Sequence, residues 1–224
     1  MASADPLEAL RGECELVSQT VMGLPEGDFG RPTRCTEWNV GQLVGHMYRD
    51  VNRLNTGLAQ DPPPAADTDS ITYWTAYAPV DDAADIAQRA KEIAAEHESG
   101  QALATAWDEM WRRALGQAQT TDRDRVLVTW GPTLQLDEFL RTRVLEITVH
   151  RMDLNDALGL PPDPTDAGLD VTEEILLGLL GQALPPELGW DGPTFLDKGT
   201  GRSALTDDER GLLGDPADEF PLIS

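Results

Sequence analysis

The sequence predicts a mostly α-helical protein in which an antiparallel four-helix bundle is followed by an extra short helix and an irregular C-terminal arm. Apolar residues recur every three or four positions over four long segments, which are separated by stretches rich in proline, glycine and aspartate. The 224 residues, 40% hydrophobic and 25% charged, suffice for one generous core but not for two full domains. We therefore expect residues 1–185 to form the bundle and residues 186–224 to form an arm that packs on it and is not an independent domain.

The first two helices are predicted by their N-terminal capping residues as well as by their apolar stripes. Asp5 is followed by Pro6, which is favoured in the first turn of a helix, and the stripe continues to near Gly23. Asn39 is a preferred N-cap residue and stands immediately before the next stripe, which covers residues 40–60. Prolines and glycines separate the two segments, so we expect a loop between the helices.

The centre of the chain predicts a long connection and then a third helical region. Residues 61–80 are rich in proline and aspartate, with aromatic residues between them. Two aspartates then open a helical pattern over residues 81–119, which Ser99 and Gly100 are placed to interrupt. Residues 126–130 favour a short extended segment, because β-branched and aromatic side chains are concentrated there and a Gly-Pro pair follows.

The C-terminal third predicts two more helices and then the arm. An apolar stripe covers residues 136–158, prolines break the pattern at 161–164, and a fifth helix is predicted over 167–184. The remaining residues combine many glycines with scattered apolar side chains, and we expect them to wrap around the bundle.

The charge of the chain excludes two classes of partner. Its 17 basic and 40 acidic residues give a net charge of -23 and a pI near 4.2. Such a surface repels phosphate backbones and anionic lipid headgroups, so we expect neither nucleic acid nor a membrane as partner. The sequence shows no apolar run long enough to span a bilayer and no signal-peptide pattern at its start, and we expect a cytoplasmic protein.

The two cysteines do not predict a disulfide framework. Cys14 falls on the apolar stripe of the first helix, which favours a buried structural thiol. Cys35 lies in the first loop, where the sequence offers no base beside it. We expect both thiols to be reduced.

Histidine and glutamate suggest a metal site. Glu146 and His150 stand four residues apart on the fourth long helix, so both side chains point to one side of it. His46 on the second helix is placed to complete a set of two imidazoles and one carboxylate, which is typical of catalytic zinc with an open fourth position. The same spacing also occurs in ordinary helix-surface ion pairs, and this alternative stays open.

Four further residues are candidates for supporting roles. Asp153 is placed to hold the second ring nitrogen of His150, and Arg143 to meet an anionic substrate group, although both could form surface ion pairs instead. Asp50, one turn after His46, is the only general base we can suggest for a metal-activated water. Arg202 in the arm either reaches the site to contact an anion or anchors the arm to acidic helices.

Two segments of the chain resemble signatures of one family. CTEWNVGQLVGHM at residues 35–47 and RVLEITVHRMDL at residues 143–154 are similar to the two motifs of the DinB-like superfamily, in the branch of the mycothiol-dependent maleylpyruvate isomerase N-terminal domain. The resemblance covers about residues 5–185. It implies a DinB-like bundle, a divalent metal, commonly zinc, held by His46, Glu146 and His150, and the use of mycothiol.

The resemblance does not transfer the isomerase reaction itself. The isomerase resembles a two-domain protein whose C-terminal α/β domain contributes to the active site, and the forty residues after 184 are too few to form such a domain. The favoured hypothesis is an enzyme that activates mycothiol on a metal for addition to a small electrophile, with either S-transfer or cis-trans isomerisation as the outcome. A metal-dependent hydrolase and a noncatalytic, metal-stabilised bundle that binds a small molecule or forms a homodimer are the alternatives.

Overall fold

The computed structural model describes residues 4–76, 83–129 and 131–223, and it confirms the mostly α-helical fold. The helices in these residues are α1 (Pro6–Met22), α2 (Val40–Leu58), α3 (Thr72–Ala76), α4 (Ala83–Ala95), α5 (Gly100–Gln119), α6 (Leu136–Leu158), α7 (Asp166–Leu180), α8 (Gly192–Gly199) and α9 (Asp207–Leu213). Two short strands, β1 (Val126–Val128) and β2 (Thr133–Gln135), and 3-10 turns at Glu26–Gly30, Pro186–Leu188 and Asp215–Glu219 complete the described elements.

Helices α1, α2, α5 and α6 form the bundle. α1 packs against α5 and α6, and α2 packs against the same two helices, while α7 covers α1 and α6 and α4 covers α2. Trp107 and Trp111 of α5 are buried at the centre, and the indole of Trp111 donates to Ser18 Oγ of α1 over 2.8 Å. The apolar stripes predicted from the sequence therefore face one shared core.

The predicted N-caps are confirmed by the backbone hydrogen bonds that they accept. Asp5 accepts from the backbone of Leu7 at the start of α1. At the start of α2, Asn39 and Gln42 form a reciprocal capping box, and Ser99 caps α5 after the break that the sequence predicts. The two aspartates expected to open the third helical region, residues 81 and 82, lie outside the described residues, as does Trp130.

Two predicted helix ends were too late in the chain. α2 ends at Leu58 rather than at residue 60, and α7 ends at Leu180 rather than at residue 184. Gly181 terminates α7 because it adopts the left-handed conformation, with a φ of 71°, that closes a helix C-terminus at little steric cost to glycine. The extended segment is half of an antiparallel hairpin, in which Leu127 pairs with Leu134.

The C-terminal arm is more regular than the sequence predicts. It contains α8 and α9, and Phe195 and Leu196 of α8 are buried in the same core as the bundle. The backbone amides of Leu222 and Ile223 both donate to the carbonyl oxygen of Gly199, which folds the end of the chain back onto α8. Asp191 and Thr206 cap the two helices, a local signal that the high glycine content obscured.

One close approach between helices fixes the surroundings of His46. Gly45 lies against α4, and a Cβ added to it would stand only 2.6 Å from the carbonyl oxygen of Ala90. A larger residue would push α4 away from this part of α2. Among the described helices, none has the length and apolar character that crossing a bilayer requires.

Candidate metal centre

Three potential metal ligands converge between α2 and α6. Glu146 and His150 lie one turn apart on α6, and His46 faces them from α2, so that one donor atom of each lies within 4.8 Å of the other two. His150 Nε2 lies 3.4 Å from Glu146 Oε2, and His46 Nε2 lies 3.7 Å from the same oxygen. The imidazole rings of His46 and His150 meet edge to face, with 4.6 Å between their centroids.

The donor set fits a divalent metal of the zinc type. Zinc bonds of 2.0–2.1 Å in a tetrahedral arrangement place neighbouring donor atoms about 3.3 Å apart, close to the separations between Glu146 and the two imidazoles. Two neutral imidazoles and one carboxylate leave a net charge of about +1 at the metal and one open position. Each of the three residues therefore offers one atom of a type that binds zinc, and the three atoms lie close enough to hold one ion.

Asp153 connects His150 to two arginines. Its Oδ2 lies 2.9 Å from His150 Nδ1, which leaves Nε2 of that ring for the site. Arg34 donates to Oδ1 over 2.6 Å and Arg202 to Oδ2 over 3.0 Å. Burial acts to raise the pKa of Asp153, but His150 and Arg202 outweigh burial and hold this pKa far below its usual range.

A second buried pair lies beside His46. Asp50 Oδ2 stands 3.1 Å from His46 Nε2 without the alignment that a hydrogen bond requires, and Asp50 Oδ1 stands 3.3 Å from Arg143 Nη1. The guanidinium of Arg143 is itself buried over the ring of Phe139, 4.9 Å from its centroid. Burial acts to raise the pKa of Asp50, but the charges of His46 and Arg143 lower it below its ordinary value.

The charge distribution keeps the carboxylate of the site ionised. Burial acts to raise the pKa of Glu146, but hydrogen bonds to His150 and His46 and the charge of Arg143 hold it well below the usual range. Burial acts to lower the pKa of His150, whereas its contacts with Asp153 and Glu146 raise this pKa well above the ordinary value. An ionised carboxylate is the form that binds a cation, so Glu146 is already in its binding state.

The candidate site opens into a cavity of about 620 Å³. Trp38 forms part of its wall and stacks on His46, with 4.4 Å between ring centroids and 25° between ring planes. Other apolar wall residues are Trp74, Ile86, Leu145, Val149, Pro221, Leu222 and Ile223. Because the last three come from the end of the chain, the C-terminal arm completes the wall opposite the bundle.

Cys35 belongs to the same wall and has neighbours that the sequence did not reveal. Its thiol donates to Asp153 Oδ2 over 3.1 Å, so a carboxylate does lie beside it. Cys35, His150 and Asp153 form a second group with donor atoms close enough for a cation. The guanidinium groups of Arg34 and Arg202 on Asp153 oppose a cation there, so we favour the group around Glu146. Cys14 is buried, as predicted, and burial raises the pKa of its thiol.

The structure brings the predicted site residues into one region. Asp153 contacts His150, Asp50 lies against His46 and pairs with Arg143, and Arg202 reaches the cavity wall from the arm. Sequence analysis missed Arg34, whose side chain also pairs with Asp197 of α8, because 119 residues separate it from Asp153. The spacing of Trp38 and Leu43 indicates a hydrophobic staple, but sequence analysis assigned Trp38 no role at the site.

Comparisons with known proteins agree with the motifs. A family model described as the mycothiol maleylpyruvate isomerase N-terminal domain matches residues 10–155. That range contains His46, Glu146, His150 and Asp153 and ends before the C-terminal arm. Neither the curated proteins nor the solved structures contain a match to the chain.

Proposed function

Because the chain belongs to the mycothiol maleylpyruvate isomerase N-terminal domain family, we propose that it is a metal-dependent enzyme that activates mycothiol for addition to a small electrophile. The observation that carries this proposal is the convergence of His46, Glu146 and His150 at the wall of a cavity of about 620 Å³. The cavity has room for both a thiol and a small substrate. Zinc is the metal that we propose, since its preferred donors and tetrahedral geometry match this set.

The need for activation follows from the chemistry of thiols. A free thiol has a pKa of about 8.5, so only a few per cent of it is thiolate at neutral pH. A divalent metal held by the three residues would supply the positive charge that stabilises the thiolate form of an incoming thiol. Glu146 cancels one of the metal's two units of charge, so a net charge of about +1 remains to stabilise the thiolate.

The chain's own residues hold the site in place. Asp153 accepts from Nδ1 of His150 and so fixes the tautomer and the ring orientation that present Nε2 to the site. Arg34 and Arg202 hold Asp153 from the first loop and from the arm. Trp38 covers one face of His46 and keeps water from that side of the ring.

The reaction that we propose has two outcomes. The thiolate sulfur forms a bond to the electrophilic carbon of an activated double bond, and the electron pair of that double bond moves to the neighbouring carbon. Protonation of that carbon gives an S-conjugate, which is a transferase product. Rotation about the new single bond and expulsion of the thiolate gives the other geometric isomer, which is the isomerase product.

Activation of water is the weaker alternative. It requires a general base, and Asp50 is the nearest carboxylate to His46 outside the ligand set. Arg143 already pairs with Asp50 and contributes to the lowering of its pKa, which makes Asp50 a poor proton acceptor near neutral pH. A noncatalytic, metal-stabilised bundle that binds a small molecule or forms a homodimer is the other alternative, and the mycothiol titration below separates it from thiol activation.

Metal content tests the ligand set. We expect the purified protein to contain about one equivalent of a divalent metal by elemental analysis, and the triple variant His46→Ala, Glu146→Gln, His150→Ala to contain almost none. Asp156→Asn, an exposed change on the same helix, is the matched control and should retain the metal. Full occupancy in the triple variant would refute the assignment.

Titration of bound mycothiol tests the thiol mechanism. Thiolate absorbance near the ultraviolet edge, followed against pH, should show a lowered thiol pKa in the metal-loaded protein and an ordinary pKa of about 8.5 in the chelated protein. An unshifted titration in the metal-loaded protein would rule out thiol activation but leave the metal site intact. Hydrolysis of an activated ester without thiol would then favour the hydrolase.

A further inference from the structure

The cavity reverses the charge of the protein that surrounds it. The chain as a whole has 40 acidic and 17 basic residues, yet the wall described in the structure holds five arginines and three carboxylates. The five are Arg34, Arg49, Arg53, Arg143 and Arg202. These arginines make the wall more favourable for anions than the rest of this acidic protein, and a divalent metal held by His46, Glu146 and His150 would add to that preference.

The arginines of the wall differ in their partners. Arg34 and Arg202 are held by Asp153, and Arg143 pairs with Asp50 through Nη1. Arg143 Nη2, in contrast, is buried and has no hydrogen-bond partner among the described residues. Arg53 is half-buried, and its side chain forms no ion pair with any carboxylate that the structure describes. Among the described residues, Arg143 Nη2 and the guanidinium of Arg53 therefore have no carboxylate partner.

These two donors lie at the same end of the site. His46 faces Glu146 and His150, while Asp50, one turn further along α2, faces Arg143, one turn earlier on α6. The two helices thus run in opposite directions past each other. Arg53 lies one turn beyond Asp50 on α2. It is therefore one turn past the level of Arg143 and about 10 Å along α2 from His46.

We propose that Arg53, with Nη2 of Arg143, forms a binding subsite for a carboxylate of the electrophilic substrate. An arginine fork matches the two oxygens of a carboxylate, and Arg34 of this wall already donates to both oxygens of Asp197 in this way. The substrate class is then a small electrophile with an anionic carboxylate roughly 10 Å or less from the reacting carbon. The identity of the ligand as the electrophile rests on the proposed function, whereas the subsite itself does not.

Calorimetric titration of the metal-loaded protein with benzoate and with its neutral analogue benzamide tests the subsite. We expect benzoate to bind at least about tenfold more tightly than benzamide, and Arg53→Gln to weaken benzoate binding about tenfold while leaving benzamide unchanged. Arg113→Gln removes an equal charge from an exposed position on α5 and is the matched control, with less than a twofold effect. Arg53→Lys retains the charge without the fork and should lie between the wild type and Arg53→Gln.

Two results would overturn the proposal. Equal binding of benzoate and benzamide would show that the cavity does not select an anion. If both Arg53 variants bind benzoate as tightly as the wild type, the carboxylate binds elsewhere. If chelation then abolishes benzoate binding, the carboxylate binds the metal. Because this titration contains no thiol, a protein that binds benzoate through Arg53 but fails the mycothiol titration retains the subsite and loses only the thiol mechanism.

Discussion

Two clusters of buried charge lie on neighbouring residues of α6 and differ in how completely they are paired. Arg151 donates to Glu13 of α1 and to the carbonyl oxygen of Asp163, and the backbone amide of Thr165 donates to Glu13 over 2.7 Å. There is no spare room, since a Cβ added to Gly168 would lie 2.4 Å from Glu13 Oε1. This Glu13–Arg151 cluster is closed.

The cluster around His150 is built from similar residue types but is open. His46 Nδ1, Asp50 Oδ2 and Arg143 Nη2 are buried and have no hydrogen-bond partner among the described residues. Their side chains line the cavity, unlike those of the Glu13–Arg151 cluster. Buried polar atoms without partners destabilise a fold, so their concentration at one cavity points to a ligand that completes them.

Burial of charge alone therefore does not identify a functional site. Glu13 and Arg151 are as deeply buried as the candidate ligands, yet their pairing satisfies both groups and leaves no volume for a ligand. We therefore predict that changes to the closed cluster reduce stability, whereas changes to the open cluster reduce metal binding.

The largest effect is expected in the closed cluster. Glu13→Gln should lower the free energy of unfolding by about 3–5 kcal/mol, because the guanidinium of Arg151 stays buried without a counter-charge. Urea denaturation measures this, with the exposed Glu8→Gln on the same helix as the control. The metal content of the folded variant should not change. If Glu13→Gln instead lost metal without losing stability, the closed cluster would support the metal site rather than the fold.

Metal itself should produce the next largest effect. A metal that binds only the folded protein adds about 2.7 kcal/mol to the stability when its free concentration is 100 times its dissociation constant. Thermal denaturation with and without chelator should show this gain in the wild type and not in Glu146→Gln. The same gain in the variant would mean that the open cluster is not where the metal binds.

Asp153 tests whether the open cluster depends on support from outside the ligand set. Asp153→Asn should weaken metal binding about 10- to 100-fold, because His150 loses the carboxylate that orients its ring. Competition against a chromophoric chelator measures the affinity, and the exposed Asp156→Asn serves as the control. An affinity equal to the wild type would reduce Asp153 to a structural partner of Arg34 and Arg202.

A partly exposed cluster in the arm should show the smallest effect. Lys198 Nζ and the backbone amide of Thr206 donate to Glu209 and lower its pKa to about 2. The stabilisation is complete above the ordinary pKa of about 4.5 and is lost as the pH falls towards 2. Near pH 7, Glu209→Gln should cost about 1 kcal/mol, since solvent screens the pair.

The pH dependence of that cost is the decisive measurement. Denaturation of the wild type and Glu209→Gln at a series of pH values should show the difference between them shrinking below about pH 4.5. A difference that is constant down to pH 3 would mean that the charge of Glu209 does not contribute.

Local signals in the amino-acid sequence predict the helices and one side of the site. Capping at Asp5, Asn39 and Ser99 and the apolar stripes are local signals, and each follows from hydrogen bonds or side-chain spacing within one helix. The spacing of Glu146 and His150 fixes their common face for the same reason. His46 was a candidate as a histidine on another long helix and as part of the first family motif, but no local spacing relates it to α6.

Which charged side chains are paired and which are open depends on how the helices pack. Arg34 meets Asp153 across 119 residues of chain, and Asp50 meets Arg143 only because α2 and α6 pass in opposite directions. The sequence likewise did not show that Arg151, the residue after His150, pairs with Glu13 of α1. Local spacing fixes the direction of a side chain relative to its own helix, whereas the partner that it meets depends on how the helices pack.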